Sequence, residues 1–163
     1  MQHYDVAGYS VDHSVGYLIR RSASLLRAQL EAEFAGQSLS FVQWVTLMLV
    51  RDGQATTPGE LCRNLHHDSG AFTRILDHLE QQQLLRRARS GADRRVVQLR
   101  ITAAGRRAVE SRLPIVVGCL NEALRDFSRA EVDTLARLLG RLIARLEAPA
   151  GERGRRAAGV PGP

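Results

Sequence analysis

Hydrophobic residues recur every three or four positions over several stretches of the chain, a spacing typical of amphipathic helices. Residues 11–34 follow this pattern, so a first helix is predicted to end before Gly36. A second helix is predicted to begin at Ser40, which forms a capping box with Gln43, and to end at Gly53. The second helix is apolar nearly all round, which indicates a central position.

A short helix and a longer one are predicted next. Thr57 is a suitable cap and Pro58 suits the first helical position. The Glu60 side chain can accept a hydrogen bond from the backbone N–H of the cap. This helix should end near Leu65, and Asp68 can cap the next one after a turn of about three residues. The apolar residues of the longer helix share one stripe: Phe72, Ile75, Leu76 and Leu79. The arrangement is that of a helix-turn-helix.

A β-hairpin is predicted after this motif, with strands at 84–89 and 96–101 and a turn at 90–95. Residues 86–107 hold eight arginines and one acid, Asp93, for a net charge of +7, whereas the whole chain carries +6. All 23 basic residues are arginine, so the count alone indicates a compositional bias, and the clustering is the stronger observation. A basic two-stranded ribbon suits a groove of duplex DNA.

Two long helices are predicted to follow, the first capped by Thr102 and containing Pro114, the second opened by a capping box of Ser128 and Glu131. Their wide apolar stripes favour pairing between two chains. Residues 149–163, rich in Pro, Gly, Ala and Arg, are predicted to form a disordered basic tail. No signal peptide or membrane-spanning run is evident, which predicts a cytoplasmic protein without membrane contact.

Two segments give this order of elements a specific resemblance. Residues 93–102, DRRVVQLRIT, match the wing signature of the MarR (multiple antibiotic resistance regulator) family, and residues 68–80, DSGAFTRILDHLE, resemble its recognition helix. The similarity extends over roughly residues 11–147. One departure is Gln83, where the family usually has Gly before the first wing strand.

The resemblance implies a mainly α fold with a small β-hairpin wing, in which a winged helix-turn-helix module is flanked by N- and C-terminal dimerisation helices. The expected divisions are an N-terminal arm at 1–10, a MarR-like domain at 11–147 and the tail at 149–163. Within the domain, dimerisation helices occupy 11–35 and 103–147, and the winged module occupies 40–102. The implied function is a transcriptional repressor that binds a pseudo-palindromic operator as a homodimer and is released by a small ligand.

The expected contacts to double-stranded DNA lie on the recognition helix and the wing. Arg95 is the candidate for the minor groove, with Asp93 orienting its guanidinium, although Asp93 could also simply start a turn among solvated arginines. The recognition-helix residues could contact bases or phosphates, or form an ordinary polar surface. The full set is Arg63, Ser69, Gly70, Thr73, Arg74, His78, Asp93, Arg94 and Arg95.

The family resemblance also implies a small, often aromatic or anionic, effector, and no cofactor. Tyr17, Arg21, Trp44 and Met48 could line its pocket, although core packing is the competing explanation for Trp44 and Met48. Cys62 and Cys119 are interpreted as small hydrophobic residues that are buried in the core. The alternative is a redox-responsive regulator that uses Cys62 or Cys119.

Two other classes of function are alternatives to DNA binding. The winged module could instead dock an acidic protein through its basic hairpin. An enzyme or metal site built on His66, His67, Asp68 and Ser69 is disfavoured, because triad residues converge from separate parts of a fold and helical metal ligands stand three or four apart. A metal site involving His13 or His78 rests on no spacing pattern. The sequence therefore predicts a protein that is not an enzyme.

Overall fold

The computed structural model describes residues 3–65, 69–89 and 97–148. Within these ranges the chain is mainly helical with one antiparallel hairpin, as the sequence predicts. The elements are α1 (Val15–Glu33), α2 (Phe41–Arg51), α3 (Pro58–Leu65), α4 (Ser69–Gln81), β1 (Leu85–Arg89), β2 (Val97–Ile101), α5 (Ala103–Ala123) and α6 (Arg129–Glu147). The elements form two compact units, which divide between Ala123 and Leu124.

Local capping chemistry sets most helix starts where the sequence predicts them. Reciprocal hydrogen bonds between the cap and the third helical residue are present at Ser40, Thr57 and Ser128. The start of α1 differs from the prediction. The apolar periodicity begins at residue 11, but the helix begins at Val15, whose backbone N–H donates to the Tyr4 hydroxyl at 3.0 Å. The cap therefore comes from eleven residues away, which periodicity does not reveal.

A single hydrophobic core fills the first unit, and α2 contributes most to it, as its apolar surface indicated. Leu47 is fully buried, and Trp44 is 5% exposed with its Nε1 donating to the Val109 carbonyl on α5 at 3.1 Å. Phe34, at the end of α1, contacts the Trp44 ring with a centroid distance of 6.0 Å. The apolar stripe of α4 is also buried, with Phe72, Leu76 and Leu79 at most 2% exposed.

The end of α4 is joined directly to the start of α5. Gln83 adopts a left-handed conformation with φ of 57°, and the Leu84 N–H donates back to the Leu79 carbonyl at 2.9 Å. Together with the bond from the Gln83 N–H to the Glu80 carbonyl at 2.9 Å, this bond forms a Schellman-type helix end. At its left-handed position a residue other than glycine lowers stability by about 1–2 kcal/mol. The Leu84 carbonyl then accepts from the backbone N–H of Thr102 at 3.1 Å and from its hydroxyl at 3.2 Å.

Gly105 allows this junction to close. A Cβ at that position would lie 2.1 Å from the Leu84 carbonyl oxygen and 2.8 Å from a side-chain carbon of Ile101. Both neighbours are held, the first by backbone hydrogen bonds and the second by the hairpin. The first turn of α5 therefore approaches the wing more closely than any side chain permits.

We expect Gly105→Ala to lower the free energy of unfolding by about 1–3 kcal/mol or more, because the added methyl group must displace backbone. The matched control is Gly59→Ala in α3, where a Cβ would only touch the flexible end of Arg63 at 3.6 Å. That control should be neutral or raise stability by up to about 1 kcal/mol through helix propensity. Urea denaturation followed by circular dichroism measures both, and equal stabilities of the two variants would contradict the close approach.

Candidate nucleic-acid interface

Helices α3 and α4 present a polar surface opposite the core. Ser69 begins α4, and its side chain lies outside the described residues. The predicted DNA-contacting residues whose side chains are described are all exposed, and they are Arg63, Gly70, Thr73, Arg74 and His78. Arg63 and Arg74 form no ion pair within the described part of the chain, so their guanidinium groups are available to an external anion.

The start of α3 is held rigidly by a carboxylate. Glu60 accepts from the backbone N–H groups of Thr56 at 2.6 Å and Thr57 at 3.0 Å, and from the Thr56 hydroxyl at 3.1 Å. These bonds, led by the one from the Thr56 backbone, lower the pKa of Glu60, so the cap stays charged at neutral pH. The Thr56 carbonyl also accepts from the Leu99 N–H at 2.7 Å, which connects strand β2 to this helix start.

The two faces of the wing hairpin differ in burial and in charge. Leu85 pairs with Ile101 and Arg87 with Leu99 on the inner face, where Leu85 and Leu99 are buried. Arg86 pairs with Arg100 on the outer face, and both are exposed. Like charges directly opposite each other are unfavourable in a sheet, and within the described residues neither arginine has an acidic partner. The outer face is therefore suited to a polyanion.

Arg87 holds the wing against α4. Its Nη1 atom donates to Asp77 and to Glu80, each at 2.7 Å, and its backbone N–H donates to Glu80 at 3.1 Å. We call these three residues the Arg87 network. Partial burial lowers the pKa of the Arg87 guanidinium, but the hydrogen bonds to Asp77 and Glu80 outweigh it and the net pKa is raised. Arg87 is thus charged and already neutralised by protein groups.

Sequence reasoning missed the Arg87 network. Asp77 is on the polar side of the α4 helical wheel, but its carboxylate turns to the wing. The available signal was the spacing of the two acids, three positions apart on α4 and within ten residues of Arg87 in β1. Such a pair can accept from one guanidinium when the chain folds back directly after the helix.

Several predicted site residues lie outside the described residues. They include the wing tip, Asp93, Arg94 and Arg95, so its roles remain predictions. The same holds for the turn at His66, His67 and Asp68 that suggested an enzyme or metal site. Within the described ranges, no group of three or more His, Cys, Asp and Glu side chains is arranged to hold a metal ion. No helix of those ranges has the length and hydropathy needed to cross a bilayer.

The four predicted effector-contacting residues separate into two pairs. Tyr17 accepts a hydrogen bond from Arg21 at 3.2 Å near the start of α1, whereas Trp44 and Met48 pack in or against the core. Trp44 contacts Phe34, which directly follows α1 and lies seventeen residues beyond Tyr17, a separation of about 25 Å along the helix. Within one chain the two pairs are therefore not brought together. Cys62 and Cys119 are half-buried against the core.

The arrangement of α3, α4 and the hairpin defines a winged helix-turn-helix protein. A model of the MarR family matches residues 37–96, which cover α2 to the wing turn. The transcriptional repressor MprA of Escherichia coli is 30% identical over 118 residues, which are 72% of this chain and 66% of that protein. The chain belongs to the MarR family of transcriptional regulators.

Solved structures agree with this assignment. A mutant of Escherichia coli MarR complexed with operator DNA has a TM-score of 0.64 and 26% identity, covering 78% of this chain and 92% of that one. Bordetella bronchiseptica BpsR, whose DNA binding is regulated by 6-hydroxynicotinic acid, has a TM-score of 0.68 and 25% identity, covering 82% and 96%. These relatives are transcriptional regulators rather than enzymes.

We expect Arg87→Gln to lower the free energy of unfolding by about 1–2 kcal/mol. The substitution removes hydrogen bonds between charged groups, and the Arg87 side chain is buried enough that solvent screens these charges only in part. Arg86→Gln removes the same charge one position earlier. The free energy of unfolding of Arg86→Gln should be within about 0.5 kcal/mol of the parent value or slightly higher, because the substitution removes the repulsion between Arg86 and Arg100. Urea denaturation of both variants provides the comparison. A more stable Arg87→Gln than Arg86→Gln would rule out the Arg87 network as the connection between wing and α4.

Proposed function

We propose that this MarR-family chain is a cytoplasmic, sequence-specific DNA-binding repressor that acts as a homodimer on a pseudo-palindromic operator and is released by a small ligand, and that it is not an enzyme. The observation that carries the proposal is the exposed polar face of α4 held beside a basic wing. An operator complex of a MarR relative supports DNA as the partner.

The proposed contacts divide by position. Thr73 and Arg74, exposed on α4, enter the major groove together with Gly70, where the absence of a side chain lets the backbone approach the bases. Arg63 on α3 contacts phosphate. Arg95 extends into the minor groove, with Asp93 accepting its hydrogen bonds. The further contacts we propose are Ser69, His78 and Arg94.

Exposed apolar side chains support the proposed homodimer. On α1, Val15, Leu18 and Leu25 are 46–56% exposed, and on α6 the side chains of Leu138 and Leu146 are 47% and 61% exposed. Exposed apolar side chains along a helix are characteristic of helices that pair with another chain. Two copies would place their recognition helices about 34 Å apart, one turn of B-DNA.

The wing prediction is tested on a duplex selected from a random pool. Arg95→Ala should weaken operator binding by at least about tenfold, because a guanidinium in a narrow minor groove is lost, whereas Arg27→Ala on α1 should leave it unchanged. Fluorescence anisotropy at several salt concentrations also measures the slope, about 0.9 per phosphate neutralised. An operator affinity unchanged by Arg95→Ala contradicts the wing role. Binding to an acidic protein with no affinity for duplex DNA contradicts the function.

The dimer prediction is tested by solution mass. The 18.0 kDa chain should sediment as a species of about 36 kDa, and Leu138→Glu should shift it toward the monomer because it places a carboxylate in apolar contact surface. Arg137→Gln, at the adjacent exposed position, should stay dimeric. Retained helical circular dichroism shows that Leu138→Glu still folds. A parent protein that is monomeric at micromolar concentration would contradict the proposal.

A further inference from the structure

The recognition helix carries two acids as well as its proposed DNA contacts. The acids are Asp77 and Glu80, whose side chains are 48% and 40% exposed. Asp77 lies one helical turn after Thr73 and Arg74, which we propose enter the major groove. Residues three or four apart share a helix face, with Cβ atoms about 5–6 Å apart. Without a counter-charge, these carboxylates would repel the phosphates of a duplex lying against α4.

Arg87 supplies the counter-charge, and it comes from strand β1 rather than from α4. Its Nη1 atom lies 2.7 Å from a carboxylate oxygen of Asp77 and 2.7 Å from one of Glu80. The Arg87 side chain is only 28% exposed, so salt and solvent screen this contact less than they screen a surface ion pair. One guanidinium against two carboxylates gives the Arg87 network a net charge of −1, whereas the two acids alone carry −2.

The two acids are close enough to the proposed DNA contacts for this difference in charge to matter. A phosphate or base held by Arg74 would lie roughly 10 Å from the Asp77 carboxylate, allowing for one helical turn and the length of an arginine side chain. That separation is about one Debye length at 0.1 M salt, so a change of one unit charge is only partly screened there. The network can therefore change the affinity for DNA without contacting it.

We propose that Arg87 is an internal counter-ion of the recognition helix, which raises the affinity of α4 for DNA by neutralising part of the charge on Asp77 and Glu80. Arg87 is a positioning residue in this role, because it acts through the two carboxylates and does not contact the duplex. The inference rests on the proposed function, since DNA is the partner. Repulsion of phosphates does not depend on base sequence, so the effect is expected on operator and unrelated duplex alike.

Two substitutions separate the charge of the network from its structural role. Arg87→Gln and Asp77→Asn both remove the ion pair between these residues, but the first takes the net charge to −2 and the second takes it to zero. The double variant Arg87→Gln/Asp77→Asn returns the net charge to −1. Asp77 is a better choice than Glu80, because Glu80 also accepts from the Arg87 backbone N–H and so holds the strand as well.

Fluorescence anisotropy with the selected duplex and with a scrambled duplex of the same length measures the effect. Arg87→Gln should weaken binding to both duplexes by about two- to tenfold, and Asp77→Asn should strengthen both, as expected for one unit charge at this separation. The double variant and Arg87→Lys, which keep the parent charge, should both stay within about twofold of the parent. The controls are Arg27→Gln and Glu31→Gln, which open the exposed ion pair on α1 with the same changes of charge and should leave both affinities unchanged.

Three results would overturn the proposal. Weaker binding by Asp77→Asn would mean that the ion pair matters only as structure. A double variant as weak as Arg87→Gln would mean that Arg87 itself contacts phosphate. A loss confined to the selected duplex would mean that Arg87 orients the reading residues rather than neutralising charge. Thermal melts establish that each variant is folded at the temperature of measurement. A parent protein without preference for the selected duplex would instead refute the proposed function and leave the comparison on the scrambled duplex standing.

Discussion

The Leu84 carbonyl group is the point on which the geometry of the DNA-binding module depends. It accepts from the backbone and the hydroxyl of Thr102, and Gly105 leaves space for it. These contacts bring the end of α4, both ends of the wing and the start of α5 together within a few residues. Because the recognition helix and the first wing strand flank Leu84 directly, neither can rotate relative to α5 without breaking these bonds. The angle between the two elements and α5 is therefore set by backbone chemistry.

The arginines of the wing carry the same charge but serve different purposes. Arg87 faces inward and is neutralised by Asp77 and Glu80, so it contributes rigidity and little electrostatic potential. Arg86 and Arg100 face outward and lie opposite each other, which costs stability in the free protein. A net charge counted from sequence adds all three equally. Among the wing arginines whose side chains the structure describes, the surface available to phosphates is consequently smaller than the count indicates, and it lies on the outer face.

Features that depend on neighbours in sequence were predictable, and features that depend on tertiary approach were not. The capping boxes at Ser40 and Ser128 involve residues three apart, so the sequence specifies them. The start of α1 depends on Tyr4, and the closeness of Gly105 depends on Leu84, contacts that no local pattern contains. The family resemblance predicted the module and its polar α4 face. It did not reveal the Arg87 network, because that network forms only where strand β1 folds back onto α4.

The proposed regulation is constrained by the strength of the junction between α4 and α5. A ligand shifts the orientation of α4 only by the difference in its affinity for two orientations, typically about 1–3 kcal/mol, or 5- to 150-fold in operator affinity. The Thr102 bonds to Leu84 are few and together are worth a similar amount, since each contributes about 0.5–1.5 kcal/mol. A much stronger junction would resist a small ligand, and a weaker one would not hold α4 in place without it. In a homodimer the same change acts on two half-sites at once, so a modest bias in each chain is squared in the affinity for the whole operator.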